Sequence, residues 1–582
     1  MSRLISTLAT IWRLARPYFM AEDRFAGRLL LAAVIVIELS TVGITVLLNQ
    51  WNNRFYNALQ ERNWDAFVYE LAFFCVLAAI YIVLAVYQLY LNQWLQIRWR
   101  RWMTRQYLGH WLDDSNHYRM QLLGDAADNP DQRISEDINL FIDRTLTLSV
   151  GLLSAVVTLA SFVVILWSLS ATAPLHLFGA TVAIPGYLVW AALLYAIVGT
   201  WLTHLVGWPL VSLNFRQQRF EADFRFNLVR VRENSEQIAL LSGERAECDR
   251  LIDRFGKVVS NWLQIMQRTK RLTFLTAGYT QVSTVFPFVV ISPAYFAGAV
   301  QLGGLMQTAS AFGSVQTSLS FFINAYRQLA EWRAVIARLE GFNAAADKAQ
   351  TAARTKPVIE PVAGDDRHGV EIGDLLVRLP NGEPLLEAHD IELRPGESLL
   401  VTGPSGVGKS TFFRAVAGIW PFGSGMITVP RSGKVMTLPQ RPYFPIGTLA
   451  AAVTYPAEPG TFLTQQLAEV IAAVGLPALA ERLDEEAHWN RMLSLGEQQR
   501  LGIARAILHA PHYLFLDEAT ASLDEPAEAA LYRLLAQRLR DTAIISIGHR
   551  ATLTAFHQRG LTLMRDGDVS RLREKAAQVA AL

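Results

Sequence analysis

The sequence predicts a two-part fold: an α-helical membrane domain with six spans, followed by a soluble α/β domain that carries a phosphate-binding loop (P-loop). Three observations predict this fold. Hydrophobic residues make up 52% of the 582 residues and charged residues only 18%, whereas a soluble protein carries about 25% charged residues. The apolar excess lies in about the first 325 residues. The remainder alternates strand-like and helix-like stretches and contains the pattern Gly-x-x-x-x-Gly-Lys-Ser at 403–410.

The membrane domain is predicted from apolar stretches that are long enough to cross a bilayer. A helix needs about 20 residues to span roughly 30 Å of hydrocarbon. The sequence contains six such stretches, near 27–48, 67–92, 147–169, 176–203, 274–298 and 303–325. We therefore predict six membrane-spanning helices, of which the first two have the sharpest boundaries.

The positions of the arginines predict how these spans are oriented. Arginines cluster before the first span and after the second, fourth and sixth, and the loops near 170–175 and 299–303 have no Lys or Arg. Because positive residues accumulate on the cytoplasmic side, both termini are predicted to be cytoplasmic. The polar segments 93–146 and 204–273 are then predicted to be helices that leave the membrane. About 25 residues of such a helix reach roughly 35–40 Å, far enough to contact a soluble domain.

Glu38 lies inside the first apolar stretch, where a carboxylate is costly unless it faces a wet cavity or a partner. Two interpretations stay open: a substrate or proton site, and a structural hydrogen bond between helices. Polar residues in the last two predicted spans indicate a hydrophilic cavity, although such residues also join helices. They are Gln281, Thr284, Gln307, Gln316 and Asn324.

Composition places the domain boundaries and excludes some functions. A stretch rich in Ala, Lys, Asp, Pro and Gly predicts a linker at 342–368, with the membrane domain at 1–341 and the soluble domain at 369–582. The net charge of +2 gives no reason to expect a nucleic-acid partner. The two cysteines, Cys75 and Cys248, predict neither a disulfide framework nor a metal site.

The strongest local pattern in the soluble part is the phosphate loop at 403–411. The residues before it, Ser398–Thr402, read as a strand, and Thr411–Ile419 read as a helix, which is the context that this motif requires. Glycines let backbone N–H groups surround phosphate oxygens. Lys409 is predicted to reach the β- and γ-phosphates and the Ser410 hydroxyl to ligate magnesium. The predicted nucleotide-binding residues of this loop are Gly403, Pro404, Ser405, Gly406, Val407, Gly408, Lys409, Ser410 and Thr411.

A second pattern is an apolar strand that ends in two acids, Asp517 and Glu518. Next to a phosphate loop, Asp517 is predicted to bind the nucleotide by helping to hold its magnesium ion. Glu518 lies one residue further on and is predicted to act as general base on the attacking water.

Further short segments lie between and after these two patterns. The stretch 493–500 reads LSLGEQQR, Gln440 lies in LPQRPYFPIGTL, the stretch 522–524 reads SLD, and His549 follows an apolar strand. In this order the segments resemble the signature, the Q-loop, the D-loop and the switch histidine of ABC ATPases. One departure is Leu495, which stands where the LSGGQ signature has its first glycine.

The resemblance implies a transport ATPase that binds ATP and Mg²⁺. It implies catalytic roles for Glu518, His549 and Gln440, and it places Ser410, Gln440 and Asp517 at the metal. In this family Ser494 and Gly496 would cap the nucleotide held by a second chain, so a dimer is implied. A homodimer is the simplest form because all catalytic positions are present in this chain.

The membrane half resembles ABC subfamily D and the SbmA/BacA-like uptake family. The resemblance rests on NPDQRI at 129–134, RENSEQIA at 232–239 and WNNRFYNALQERNWDAF at 51–67. It implies the exporter-type membrane domain of ABC proteins (the type I exporter or type IV fold), set in the lipid bilayer of a bacterial inner membrane.

The function stays open between several alternatives, one of which is an exporter of small molecules. The SbmA/BacA-like resemblance implies uptake of hydrophilic cargo such as peptides or cobalamin-like molecules, and subfamily D implies fatty acyl-CoA or similar amphiphiles. An ATP-gated regulator that moves no cargo is disfavoured by the presence of Glu518 and His549. The family stacks adenine on an aromatic residue upstream of the phosphate loop, whereas Leu379 is predicted to occupy that position here.

Overall fold

The structure is a computed structural model that describes residues 2–21, 24–124, 129–172, 175–177, 180–182, 184–365 and 369–575. The chain forms two compact units. The first comprises Met1–Leu108 and Asn129–Gly341, and the second comprises Gly109–Asp128 and Phe342–Leu582. The domain boundaries at 341 and 369 stay predictions.

Long helices build the chain up to residue 352, with one short hairpin of strands. The helices are α1 (Ser2–Ala15), α2 (Arg24–Gln60), α3 (Trp64–Leu112), α4 (Asn116–Leu122), α5 (Pro130–Gln132), α6 (Ile138–Thr172), α7 (Tyr187–Glu233), α8 (Ser235–Leu240), α9 (Glu244–Phe296) and α10 (Leu302–Ala352), and the strands are β1 (Leu175–Leu177) and β2 (Ala180–Val182). Helices suit a membrane because they satisfy every backbone polar group internally.

Five helical stretches of the described chain are long and apolar enough to cross a membrane. They are Arg24–Gln60, Trp64–Leu122, Pro130–Ala171, Tyr187–Glu233 and Glu244–Phe296. The predicted span at 303–325 falls within α10, which is not among these five. The count of six spans is therefore not confirmed and stays a prediction.

Three of the polar residues that the sequence singles out in these helices, Glu38, Gln307 and Gln316, bond to a neighbouring helix. Buried Glu38 accepts a hydrogen bond from the Gln88 amide, which fits the structural alternative for this carboxylate. Gln316 accepts a hydrogen bond from Ser283. Gln307 is buried and bonds to α2, whereas the side chain of Asn324 lies outside the described residues. Cys75 and Cys248 are both free and exposed.

The rest of the second unit is an α/β fold. Its strands are β3 (Ile359–Gly364), β4 (Val370–Ile372), β5 (Leu375–Arg378), β6 (Pro384–Ala388), β7 (Ile391–Leu393), β8 (Ser398–Thr402), β9 (Gly423–Pro430), β10 (Val435–Leu438), β11 (Gly447–Thr448), β12 (Glu486–Ala487), β13 (Tyr513–Asp517), β14 (Ala543–Ile547), β15 (Arg559–Asp566) and β16 (Val569–Lys575). Its helices are α11 (Lys409–Val416), α12 (Leu449–Thr454), α13 (Thr464–Ala473), α14 (Pro477–Ala480), α15 (Trp489–Met492), α16 (Leu495–His509) and α17 (Glu525–Arg538).

A parallel block of strands in the order β10-β13-β14-β8-β15 forms one end of the main sheet. Its strands β13 and β14 are buried apolar runs, as expected where both faces of a parallel sheet are covered. Because parallel strands end at the same edge, the carboxyl ends of β8 and β13 come together there. This edge carries the phosphate loop after β8 and the two acids at the end of β13.

The short helix α4 belongs to the second unit, although it lies between two helices of the first. Asn116 of α4 donates a hydrogen bond to the Ala346 carbonyl at 3.2 Å, and Leu122 packs against the apolar cluster around the sheet. Burial raises the pKa of Tyr118, and the positive charge of Arg414 on α11 opposes that rise. A short helix from the first predicted cytoplasmic arm therefore packs against Ala346 and the apolar cluster around the sheet.

Candidate nucleotide site

The phosphate loop joins β8 to α11 and is shaped by glycines in conformations that other residues avoid. Gly403 has φ +150° and Gly408 has φ +103°. A Cβ at Gly403 would lie 2.4 Å from the Leu563 carbonyl oxygen, and one at Gly408 would lie 3.1 Å from Leu385. The strand ends at Thr402 as predicted, and the helix begins at Lys409, two residues earlier than predicted.

Lys409 is buried and turns back into the loop. Its Nζ donates to the Gly403 carbonyl at 2.9 Å and to the Pro404 carbonyl at 2.7 Å. Burial lowers the pKa of Lys409, and the carboxylates of Glu518 and Asp517 partly offset that effect. The ammonium group therefore lies inside the loop with two acids close enough to affect it.

Ser410 and Asp517 bring together the oxygen ligands that the sequence predicts for magnesium. The Ser410 hydroxyl donates to Asp517 Oδ1 at 2.9 Å. Burial raises the pKa of Asp517, and the hydrogen bond from Ser410 acts in the opposite direction. Hydroxyl and carboxylate oxygens are hard ligands of the kind that Mg²⁺ prefers, and Mg²⁺ takes its remaining ligands from water and substrate phosphates.

The raised pKa of Asp517 predicts a cost in stability. Because its folded pKa lies above the ordinary value of 3.8, the protonated carboxyl stabilises the fold, and this contribution is lost as the pH rises through the folded pKa. At neutral pH the ionised carboxylate therefore destabilises the nucleotide-free protein. We expect Asp517→Asn to raise the melting temperature without nucleotide, as measured by a thermal shift at pH 7.5. An unchanged or lower melting temperature would contradict this account of Asp517.

Glu518 lies just beyond β13 and meets two other predicted catalytic side chains. Gln440 Nε2 donates to Glu518 Oε2 at 3.2 Å, and His549 Nε2 lies 3.3 Å from Glu518 Oε1. Glu518 has φ +50°, a left-handed conformation that costs about 1–3 kcal/mol in a residue other than glycine. Its backbone N–H bonds to the Ile547 carbonyl of β14 at 3.3 Å, which helps to hold this conformation.

Ser494 and Gly496 lie at the start of α16 and contact other parts of the chain. Ser494 is the N-cap of α16 and forms a capping box with Glu497. A Cβ at Gly496 would lie 3.3 Å from Leu523 and 3.5 Å from the Ser522 carbonyl oxygen. The structure thus brings Gly496 to the D-loop, and the predicted action of both residues on a second chain's nucleotide stays a prediction.

Gln499 is a residue of this region that the sequence did not single out. Its side chain is 1% exposed. It donates from Nε2 to the Gln440 carbonyl at 3.0 Å and accepts from the Ser522 N–H at 3.0 Å. One buried amide therefore joins the Q-loop backbone to the D-loop backbone. Its place in the stretch LSLGEQQR was visible in the sequence, but only the fold reveals its partners.

Comparison with known proteins identifies the family. Residues 14–296 match the family described as ABC transporter transmembrane region 2, and residues 386–521 match the family described as ABC transporter. An ABC transporter ATP-binding protein of Haemophilus influenzae is 37% identical over 96% of this chain and 92% of its own length. The chain belongs to the ABC transporter family. This transporter therefore binds ATP and couples its hydrolysis to transport across a membrane.

Further relatives of the transporter include the Escherichia coli inner membrane ABC transporter ATP-binding protein YddA. It is 35% identical and covers 92% of this chain and 94% of its own length. The mouse lysosomal cobalamin transporter ABCD4, from subfamily D, is 25% identical and covers 98% of this chain and 97% of its own length. A solved bacterial Atm1-family ABC exporter with ATP bound shares the fold, with a TM-score of 0.65 at 17% identity over 92% of this chain and 93% of that one.

Proposed function

We propose that this transporter works as a homodimer that binds Mg-ATP between two copies of its ATPase domain. It moves hydrophilic cargo, such as peptides or cobalamin-like molecules, across a bacterial inner membrane. Both termini lie in the cytoplasm. Exporter-type half-transporters generally work as dimers, and the fold shared with the Atm1-family exporter supports this arrangement.

Each copy contributes two surfaces to the proposed nucleotide sites. Lys409 and the N–H groups of the phosphate loop bind the phosphates, and the start of α11 adds the positive end of a helix dipole. Ser494 and Gly496 of the second copy close over the same nucleotide from the start of α16. Leu379 contacts adenine in place of the usual aromatic residue.

The contacts around Glu518 support the proposed catalytic roles. Its carboxylate takes the proton of the attacking water, and His549 and Gln440 contact the γ-phosphate and orient that water. Ser410, Gln440 and Asp517 would hold magnesium, which supplies positive charge to the phosphates when it is bound. The 2.9 Å contact between Ser410 and Asp517 supports this ligand set.

The cargo proposal rests on a cavity of about 310 Å³ among the helices of the first unit. Its polar lining comes from Asn53, Asn57, Gln301 and Thr308. Among the described residues, the cavity lining includes no charged side chain, and uncharged amides and hydroxyls suit the peptide bonds or amide groups of a hydrophilic solute.

A ladder of amides shapes the wall of this cavity. Asn57 donates to Asn53 at 2.8 Å, and Asn53 donates to Gln307 at 2.6 Å. Gly303 lies against this ladder, since a Cβ there would come within 1.9 Å of the Asn53 carbonyl oxygen. The tight approach of α10 to α2 therefore keeps the amides in fixed positions.

The names of two relatives also support this proposal. The mouse relative is named as a cobalamin transporter, and the E. coli relative is named as an inner membrane protein. The resemblance to the SbmA/BacA-like family is part of the proposal. The resemblance to subfamily D still supports transport of amphiphiles as the alternative. An uptake experiment distinguishes this alternative from transport of hydrophilic cargo.

The decisive experiment measures uptake by purified transporter in liposomes with labelled peptide, cobalamin and fatty acyl-CoA. ATP-dependent movement of peptide or cobalamin supports the proposal, and movement of acyl-CoA alone overturns it. Ala299→Trp places a large side chain at the cavity lining, so it should lower cargo movement while ATP hydrolysis continues. Ala297→Trp, at an exposed position outside the lining, serves as the matched control.

A further inference from the structure

A buried carboxylate outside the predicted site contacts the two segments that carry Glu518 and His549. Glu528, in the first turn of α17, is 2% exposed. Its Oε1 accepts a hydrogen bond from the Thr520 hydroxyl at 2.6 Å. Its Oε2 lies 3.3 Å from Arg550 Nη1, which donates to it. The two oxygens of one carboxylate therefore hold two different segments of the chain.

Both of these segments carry a residue of the catalytic site. Thr520 comes two residues after Glu518, and Arg550 comes directly after His549. Arg550 also donates from Nη2 to the Ala521 carbonyl at 3.2 Å. The segment after β13 and the segment after β14 are thus joined twice, at Glu528 and at Ala521. The same two segments also meet at the catalytic residues, where His549 Nε2 lies 3.3 Å from Glu518 Oε1.

The partners of Glu528 offset the cost of burying its side chain. A buried carboxylate is expensive unless it is paired and hydrogen-bonded, and Glu528 has both a charged and a hydroxyl donor. The first turn of a helix adds a favourable positive potential for an acid. Removing one partner of such a pair leaves the other charge without compensation.

We propose that Glu528 and Arg550 form a positioning pair that sets the place of His549 relative to Glu518. The pair acts through the two segments that it holds. This proposal rests on the catalytic roles proposed above for Glu518 and His549. A displacement of about 1 Å in a catalytic group can lower a rate about 100-fold, so the pair controls turnover rather than ATP affinity.

Glu528→Gln tests the pair with little change in size. The amide oxygen can still accept from Thr520, but the negative charge that attracts Arg550 is lost. We expect kcat for ATP hydrolysis to fall about 10–100-fold, with KM and ATP affinity unchanged. Arg550→Ala should give a similar loss, and Arg550→Lys should recover part of the rate. Glu525→Gln, an exposed acid on the same helix, should behave as wild type.

The double variant Glu528→Gln/Arg550→Ala separates positioning from general damage. If the two side chains act as a pair, the double variant loses no more rate than either single variant. Rates are measured on the full-length transporter in detergent or liposomes, together with melting temperatures and binding of a fluorescent ATP analogue. Additive losses, a raised KM with unchanged kcat, or a rate loss that follows the melting temperature would each overturn the positioning pair.

The failure of this proposal can be told apart from the failure of the catalytic assignment. If Glu518→Gln is inactive while Glu528→Gln and Arg550→Ala hydrolyse ATP normally, the positioning pair is wrong and Glu518 keeps its role. If Glu518→Gln hydrolyses ATP at nearly the normal rate, the catalytic assignment itself is wrong.

Discussion

Replacing Glu518 by glutamine should leave ATP binding intact and lower the rate of hydrolysis at least about 100-fold. The amide keeps the shape of the side chain but cannot take a proton from the attacking water. The contacts of Glu518 with Gln440 and His549, at 3.2 Å and 3.3 Å, join it to the two other side chains that are predicted to be catalytic. Lys409 and Ser410 belong to other segments, so the phosphate-binding surface stays unchanged.

The measurement compares ATP affinity and single-turnover hydrolysis in wild type, Glu518→Gln and Glu525→Gln. The last variant makes the same chemical change at an exposed acid seven residues away and should hydrolyse ATP normally. A Glu518→Gln protein with nearly normal turnover would refute the general-base role. A protein that no longer binds ATP would show that Glu518 supports the fold of the site instead.

Replacing Asp137 by alanine should destabilise the first unit by about 3 kcal/mol, at the low end of the range for breaking a buried ion pair. Asp137 is 1% exposed. Its carboxylate accepts from Arg133 Nη1 at 2.8 Å and from Arg338 through Nε at 2.8 Å and Nη2 at 2.5 Å. Hydrogen bonding to Asp137 raises the pKa of Arg338. Without the carboxylate, the guanidinium groups of Arg133 and Arg338 lose the negative charge that both of them bind.

Two members of this cluster, Arg133 and Asp137, lie on an unusual stretch of backbone. Residues Arg133–Asp137 form a π-helical turn at the start of α6, a rare form that occurs often at functional sites. The prediction is measured as the melting temperature of detergent-solubilised protein. Asp131→Ala removes an exposed acid from the same stretch and is the control. Equal melting temperatures for the two variants would contradict the proposed contribution of the Asp137 cluster to stability.

Local patterns were enough to predict the parts of the site that depend on neighbouring residues. The strand Ser398–Thr402 has the predicted bounds, and Asp517 and Glu518 lie at the edge of the sheet where parallel topology requires them. The start of α11 was predicted two residues late, because Lys409 and Ser410 read as part of the loop although their backbone is already helical.

Contacts between distant segments could not be predicted from these patterns. Asp137 and Arg338 are 201 positions apart, and nothing in the spacing of either residue indicates the other. Glu528 reads as an ordinary acid near a helix start, and its burial becomes visible only when β13 and β14 bring Thr520 and Arg550 to it. Gln499 was passed over for the same reason.

We propose that each ATP site combines the phosphate loop of one chain with the signature segment of another. Mixed dimers test it most directly. One chain carries Lys409→Ala, which disables its phosphate loop, and the other carries Ser494→Arg, which disables its signature segment. Two different affinity tags select the mixed dimer, and a dimer with Lys409→Ala in both chains is the control.

If the sites are shared between chains, both defects of the mixed dimer fall in one site and the other site is intact. We then expect each variant alone to be inactive and the mixed dimer to hydrolyse ATP at a clearly measurable fraction of the wild-type rate. If each chain formed its own complete site, both sites of the mixed dimer would be damaged. A mixed dimer as inactive as either variant alone would contradict the account.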